Sequence, residues 1–388
     1  MRKKYSYSFA AMLVVGILIV VAVLKVDVYY YGSHEGLFLL KGENGAWLEV
    51  TDDLFPEDTD RFIYGHPFAL FKNIASVGPC NAIDHPCTTY EWNEKGGRGF
   101  IKTTYPDGRK FLICLSRFKD SLGLHPSGLF LGGDLPPGDP DFQIFNKNET
   151  GMAYFDGKRY YHIWCNVNEG IADAANKPIS PSQWQFLNSK VLENSQTDLT
   201  LVSRHSVSVN GVPFTIERFL FYTVGDTFIT LVTNITNVGN TASAFSYVYG
   251  DEPWLGDFGS SAGNVGWLKD RIVTTEMLVD TKKNDYFGMF DYGNELAGEA
   301  HYFTKKANFI EWQHDSPPTV AYFANHFGNI DEGEKVPLSS PNNRVIALQW
   351  GKLRIEPGAT FSFKIAVGMA ENNPQTGFPV KPDTGLNK

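Results

Sequence analysis

Residues 203–240 read SRHSVSVNGVPFTIERFLFYTVGDTFITLVTNITNVGN, and the fold class turns on them. Asn210-Gly211 and Gly225-Asp226 interrupt runs dominated by β-branched and aromatic residues. Such dipeptides favour left-handed or mirror-type turns whose twist matches antiparallel strands. Phe214, Ile216, Arg218 to Phe221 and then Thr227 to Ile235 follow them, and the stretch reads as three consecutive antiparallel strands.

The same pattern continues on the C-terminal side. Strands are expected at Ala244 to Tyr249, Arg271 to Val279, Tyr286 to Phe290, Thr319 to Ala324, Arg344 to Trp350 and Thr360 to Val367. Pro357-Gly358 suits the centre of a type II turn between the last two. On the N-terminal side, Lys110 to Phe118, Met152 to Phe155 and Tyr160 to Val167 are strand candidates, and LFLLKGENGAWLEV (residues 37–50) reads as a hairpin. Residues 51–110 read as long surface loops around a few strands. The predicted fold is therefore all-β and mainly antiparallel, a large β-sandwich with few short helices. The composition agrees: 29 Phe, 18 Tyr and 8 Trp accompany 37 Gly and 21 Pro, while only 20% of residues are charged.

One helix is expected near residue 180. Ser180-Pro181-Ser182-Gln183 fits an N-cap, a first-turn proline and a capping-box glutamine, and Trp184, Leu187 and Val191 recur at helical spacing. The division that follows is a cytoplasmic N-terminus (1–6), a membrane anchor (7–25), an irregular β-rich half (33–179), a sandwich region (180–370) and a polar tail on the surface or disordered (371–388).

The anchor rests on an apolar stretch from Phe9 to Leu24. About 20 helical residues span a bilayer core, a length reached here only if Tyr5, Tyr7 and Tyr29 to Tyr31 act as interfacial flanks. Arg2, Lys3 and Lys4 precede the stretch and Lys25 follows it, so the body is expected on the periplasmic or extracellular side, tethered by one transmembrane helix. A cleaved signal is the competing reading, and the lack of suitable small residues beyond Leu24 favours retention. Without those four cations the chain holds 30 Lys+Arg against 43 Asp+Glu, a formal charge of −13. That balance argues against a nucleic-acid partner.

Cys80, Cys87, Cys114 and Cys165 are an even set in an exported body, which implies disulfides. Cys80 with Cys87 is expected as a local clamp, and Cys114 with Cys165 as a link between strands. Cys80, His85 and Cys87 form the competing zinc set, without the usual C-x2-4-C spacing. Asp134, Asp139 and Asp141 in DLPPGDPD are calcium candidates that lack the EF-hand order of ligands. No metal or cofactor is expected.

Chemistry is most concentrated in YVYGDEPWLGDFGSSAGNVGWLKD (residues 247–270). Asp251, Trp254, Asp257 and Trp267 are candidate ligand-binding residues there, since carboxylates with indoles suit sugar hydroxyls and a sugar face. Glu252 and Asp257 are the acid and base candidates for a glycoside-cleaving mechanism; the competing reading is a tryptophan-anchored plug. Glu311, His314 and Asp315 form another polar group. H-E-x-x-H and G-x-S-x-G are absent. The leading expectation is thus a noncatalytic, membrane-tethered binding or structural component with a protein partner or a second copy of itself. The alternative is a carbohydrate-binding or glycoside-processing protein using the 250–270 loop.

Overall fold

The computed structural model describes residues 27–31, 37–41, 47–49, 75–80, 83–95, 97–120, 123–131, 151–165, 167–172, 178–179, 181–256, 261–269, 271–292, 304–326, 336–339 and 344–388. The anchor (7–25), the calcium candidates Asp134, Asp139 and Asp141, and Asp257 lie outside the described residues. Among the described residues no helix is long and apolar enough to cross a membrane. The chain divides into two compact units, one of residues 1–73 with 136–143 and one of residues 74–135 with 144–388.

In the first unit, β1 (Asp27–Tyr31), β2 (Leu37–Lys41) and β3 (Trp47–Glu49) form an antiparallel sheet in the order β1-β2-β3. The expected hairpin is the β2–β3 pair, with Leu40 opposite Leu48. Tyr29 to Tyr31, read above as an interfacial flank, belong to β1 and pair with β2.

The second unit begins with a seven-stranded sheet: β4 (Ala75–Val77), β5 (Cys87–Asn93), β6 (Arg98–Thr104), β7 (Lys110–Asp120), β8 (Gly123–Leu131), β9 (Met152–Phe155) and β10 (Tyr160–Trp164). Next come β11 (Val167–Ala172) and β12 (Pro178–Ile179), then a run of β13 (Gln185–Asn194), β14 (Asp198–Val209), β15 (Val212–Thr223) and β16 (Phe228–Asn237). The chain continues through β17 (Ser243–Asp251), β18 (Asn264–Leu268), β19 (Arg271–Val273), β20 (Met277–Val279), β21 (Tyr286–Asp291), β22 (Ala307–Trp312) and β23 (Val320–Ala324). It closes with β24 (Val345–Ile355), β25 (Thr360–Asn372) and β26 (Pro379–Val380). A six-stranded sheet runs β12-β11-β17-β24-β23-β20, and a ten-stranded sheet runs β13-β14-β15-β16-β25-β22-β21-β18-β19 with β26 on β25. Every pairing is antiparallel, and the regular helix among the described residues is one 3-10 turn, Pro181–Gln183.

The three strands expected between residues 203 and 240 are β14, β15 and β16. Asn210 (φ 53°) and Gly211 (φ 78°) both adopt the left-handed conformation that a type I′ hairpin turn needs. Alternate residues of β15 then turn inward: Phe214, Ile216, Arg218, Leu220 and Tyr222 are all buried. That single face meets both other sheets. Phe214 packs edge-on against Phe245 of the six-stranded sheet at 5.1 Å, and Tyr222 shares a hydroxyl hydrogen bond with Thr103 of the seven-stranded sheet. Further along, Phe363 stacks on Trp350 at 4.1 Å and Phe287 meets Phe323 at 5.0 Å. The six- and seven-stranded sheets therefore form one layer across the ten-stranded one, around a shared core from Val77 to Met369. Trp164, Trp312 and Trp350 are among its largest buried side chains, and Trp267 is buried in a second cluster with Phe228, Phe290 and Phe309; each large apolar side chain so removed from water contributes about 1.5–3 kcal/mol.

The helix expected from residue 180 is replaced by that 3-10 turn and an edge strand. β13 pairs with β14 through two bulges, between Phe186 and Asn188 and between Val191 and Glu193. Each bulge inserts a residue and shifts the two-residue alternation; Trp184 precedes the strand and is buried, Leu187 is exposed at the first bulge, and Val191 is partly buried. The outer side of β13 is capped: Val191 N–H donates to Glu94 Oε1 at 3.0 Å and Ser189 Oγ to Glu94 O at 2.6 Å.

The expected Cys114–Cys165 bridge is not formed, and both cysteines are buried outside any disulfide. The sheet order β10-β9-β7 puts β9 between them. Gly151 ties the two neighbours together, accepting from Cys114 N–H at 2.7 Å and donating to Trp164 O at 2.7 Å. Two strand spacings are roughly 9–10 Å, beyond the Cα separation a disulfide spans. Cys80 and Cys87 are joined as expected, with Cα atoms 4.7 Å apart.

Where the three sheets meet, Arg218 is buried. Its guanidinium donates to Gly128 O (2.7 Å) and Leu129 O (3.2 Å) on β8 and pairs with Glu169 on β11 at 2.5 Å. Tyr247 on β17 donates its hydroxyl to the same carboxylate, and Trp184 lies 5.6 Å beneath the guanidinium. Gly128 has φ 48°, and a Cβ there would lie 2.6 Å from Ser203 Cβ. Burial pushes the Glu169 carboxyl above its usual range, while Arg218 and Tyr247 pull it back.

Candidate functional site

A cavity of about 340 Å³ opens where two turns, two strands and the segment after β25 converge in the second unit. The β6–β7 turn supplies Tyr105 and Arg109, β9 supplies Tyr154, and the β15–β16 turn supplies Asp226 and Thr227. The end of β25 adds Glu371, and the segment after it adds Val380, Lys381 and Pro382.

The β6–β7 turn reads Tyr-Pro-Asp-Gly-Arg, a sequence suited to a tight reversal. Gly108 (φ 85°) donates to Tyr105 O at 2.9 Å, and the Asp107 carboxylate accepts from Arg109 N–H at 3.1 Å. The same carboxylate takes the Arg109 Nε–H at 2.5 Å. Those hydrogen bonds, the Arg109 backbone one first, hold the exposed Asp107 carboxyl below its usual range. Arg109 is thereby aimed: its Nη1 donates to Tyr154 Oη at 3.1 Å, and its guanidinium lies 5.3 Å from the Tyr105 ring.

Across the cavity, Tyr105 Oη donates to Gly225 O (3.1 Å) and Asp226 O (3.3 Å), and Tyr222 Oη to Asp226 O (3.1 Å). These bonds pin the β15–β16 turn by its backbone, and Asp226 is among the residues that line the cavity. Burial, reinforced by the nearby Asp198 charge, pushes the Asp226 carboxyl up to about 6. Burial likewise raises Tyr105 and Tyr154, with Arg109 opposing it at both. Beside Tyr154, the Lys306 ammonium sits 5.1 Å from that ring and 4.8 Å from Tyr161, whose hydroxyl donates to Asp156 Oδ2 at 2.9 Å. Burial lowers the Lys306 pKa and the Asp156 charge opposes that.

The cavity thus joins a guanidinium, two carboxylates and two tyrosines in a partly desolvated space. Pockets of this size with a few convergent polar groups and shifted pKa values are the usual places for small-molecule recognition. An acid poised near neutrality can also move a proton to or from a bound ligand.

Of the residues singled out in the 247–270 stretch, Asp251, Glu252, Trp254 and Trp267 lie away from this cavity and are buried, while Asp257 lies outside the described residues. Asp251 is fully buried and accepts from Cys165 N–H at 3.3 Å. Glu252 is buried, its backbone carbonyl accepting from Cys165 Sγ at 2.8 Å. Trp254 Nε1–H reaches Glu252 Oε1 at 3.4 Å, and Trp267, with no exposed surface, donates to Asn308 O at 3.0 Å. Neither indole offers a face to solvent.

Cys80 and Cys87 are consumed by their disulfide, and among the described residues no group of three or more His, Cys, Asp or Glu is arranged to hold a metal ion. Glu311, His314 and Asp315 do not act as one group: Glu311 is buried against Lys381, whereas His314 reaches Asp285 at 3.3 Å. The residues that build the cavity carried one sequence signal, the Pro-Asp-Gly and Gly-Asp turns, and those identify turns without identifying ligands.

No family model matches the chain, and no curated protein matches it. Among solved structures it is similar to a protein assigned as an aldose 1-epimerase from Klebsiella pneumoniae, at 10% identity and a TM-score of 0.43, covering 76% of this chain and 87% of that one. It is similar to a galactose mutarotase-like protein from Clostridium acetobutylicum, at 9% identity and a TM-score of 0.36, covering 72% and 98%. It is also similar to an aldose epimerase homologue from C. elegans, at 12% identity and a TM-score of 0.34, covering 71% and 100%. Likenesses of this depth carry nothing about activity, and the functional reading stands on the cavity.

Proposed function

We propose that this protein binds a carbohydrate, and that the ligand occupies the cavity between Arg109, Tyr154, Asp226 and Glu371. One observation carries the reading: donors and acceptors of both charges converge with two tyrosines in a space of about 340 Å³. A sugar presents hydroxyls that both donate and accept, around a C–H surface that packs on aromatic rings. Carboxylates accept from those hydroxyls, a guanidinium donates to them, and ring faces cover the C–H surface.

Glycan-array screening followed by calorimetry tests this. A hexose or short oligosaccharide is expected to bind wild-type protein, with affinity lost in Arg109→Ala and sharply reduced in Asp226→Asn. Binding that survives Arg109→Ala places the ligand elsewhere and removes the assignment.

The reading leaves the apolar stretch at 7–25 its proposed role of carrying the body to the non-cytoplasmic side. The Cys80–Cys87 disulfide supports that placement, because such bonds persist in oxidising compartments. Alkaline extraction of membranes, with N-terminal sequencing of the mature chain, separates a retained anchor from a cleaved signal.

A further inference from the structure

Residues 373–388 follow β25 and were expected as a polar tail. They lie mostly at the surface, one of the two alternatives expected, and form a strap across the ten-stranded sheet and one side of the cavity. Asn373 starts a reversal, donating from N–H to Phe378 O at 2.9 Å and accepting from Gly377 N–H at 2.8 Å. β26 then pairs back on β25, with Val380 opposite Glu371. Beyond it, the strap is fastened to β22 by one buried carboxylate. Glu311, whose side chain is 3% exposed, pairs with Lys381 Nζ at 2.9 Å, accepts from Thr384 Oγ1 and accepts from Asn387 Nδ2 at 3.3 Å. Asn387 also donates to Trp312 O (2.9 Å) and accepts from His314 N–H (2.8 Å), while Leu386 is buried with Phe228 and Phe309.

These anchors decide what the strap shows to the cavity. With its ammonium held by Glu311 at 2.9 Å and by Pro382 O at 3.3 Å, and lying 5.2 Å from the Tyr286 ring, Lys381 lines the cavity with its charge already partnered, which leaves its methylene stem to meet a ligand. The stem lies between Val380 and Pro382 in sequence, and all three line the cavity. The β6–β7 and β15–β16 turns contribute mostly polar and aromatic groups to it, whereas the strap contributes an aliphatic strip.

We propose that this strip is the specificity wall of the cavity, reading the C–H face of a pyranose, and that Glu311 is the positioning residue that fixes it there. The inference rests on the carbohydrate reading and deepens it. A sugar carrying a bulky group on the face turned to the strip is excluded, and one with a clear C–H face is accepted. Glu311 acts only through the strap, since its carboxylate is consumed by Lys381, Thr384 and Asn387.

The test is calorimetric affinity for a panel of neutral hexoses and hexosamines, with melting temperature measured in parallel, on wild type, Glu311→Gln, Thr384→Val, Val380→Ala and Arg109→Ala. Glu311→Gln and Val380→Ala are expected to weaken the best ligand roughly tenfold, the scale of one lost favourable contact. Both should also narrow the spread of affinities across the panel. Thr384→Val, which loosens the strap and leaves the Glu311 side chain in place, should narrow the spread in the same direction even if Glu311→Gln folds poorly. A panel whose order and spread stay unchanged in Thr384→Val and Val380→Ala, while Arg109→Ala abolishes binding, overturns the wall and leaves the carbohydrate reading standing. Wild-type protein that binds no member of the panel overturns both.

Discussion

Two arginine clusters in the second unit use the same chemistry to different ends. Arg218 with Glu169 and Tyr247 is sealed where three sheets meet; Arg109 with Tyr154, Asp226 and Glu371 edges an open cavity. The side chains of Arg218 and Glu169 are 4% and 2% exposed, whereas Arg109 is 41% exposed. In the sealed cluster the donors of Arg218 end on the protein itself, on two carbonyls and a carboxylate. In the open one Arg109 is steadied by Asp107 and Tyr154 at a wall that a ligand can reach. An arginine, a carboxylate and a tyrosine do not make a binding site; access does.

Glu169→Ala puts that contrast to its hardest test. It strands a buried guanidinium and is expected to cost about 3–5 kcal/mol in urea unfolding; a loss under about 1 kcal/mol would mean that the junction is wet and the contrast false. Combining Glu169→Leu with Arg218→Met removes both charges but leaves Gly128 O and Leu129 O without their donor. Most of the loss should return, with about 1–3 kcal/mol outstanding.

Asp226→Asn sharpens the comparison through pH. The Asp226 carboxyl is raised to about 6 from the ordinary 3.8 of an aspartate, so the folded state holds its proton more tightly than the unfolded chain does. Its stabilising contribution is complete below about pH 4 and is lost as pH rises through about 6. The asparagine variant should therefore match wild type near pH 4 and melt at a higher temperature above pH 6. Equal melting temperatures at pH 8 would place that carboxylate in water.

The smallest effect on stability belongs to Arg109→Ala. Its ion pair with Asp107 is exposed, and such pairs contribute less than about 1 kcal/mol. Chemical denaturation should barely register the change, while ligand titration registers a loss. A large destabilisation would make Arg109 a second Arg218.

How far each region could be read beforehand follows from how local its determinants are. β14 to β16 were legible because Asn210-Gly211 and Gly225-Asp226 set the reversals, and β15 buries every second residue without interruption. β13 was not, since its two bulges spoil the alternation and Pro181 and Gln183 mimic a helix start. The loop from 247 to 270 drew attention because its acids and indoles are neighbours in sequence. The same closeness lets Trp254 bond Glu252, so that the acid and the indole satisfy each other in a buried place. The cavity was illegible for the opposite reason: Arg109, Tyr154, Asp226, Glu371 and Lys381 come together only when β7, β9, β16 and β25 have found their partners. Cys114 and Cys165 misled for want of register, since nothing in their local sequence announces that β9 will run between them.

The cap that Glu94 places on β13 also bears on how the molecule behaves in a crowd. An open strand edge is a template on which another chain can lay its own backbone. Here an outward N–H is already answered by a carboxylate from the same molecule, and the bulges bend the line a newcomer would have to follow. The ten-stranded sheet thus carries its own terminator on that side. Glu94→Ala, harmless to every core contact described above, is the change expected to make the body stick to its own copies, seen as larger species in size-exclusion chromatography.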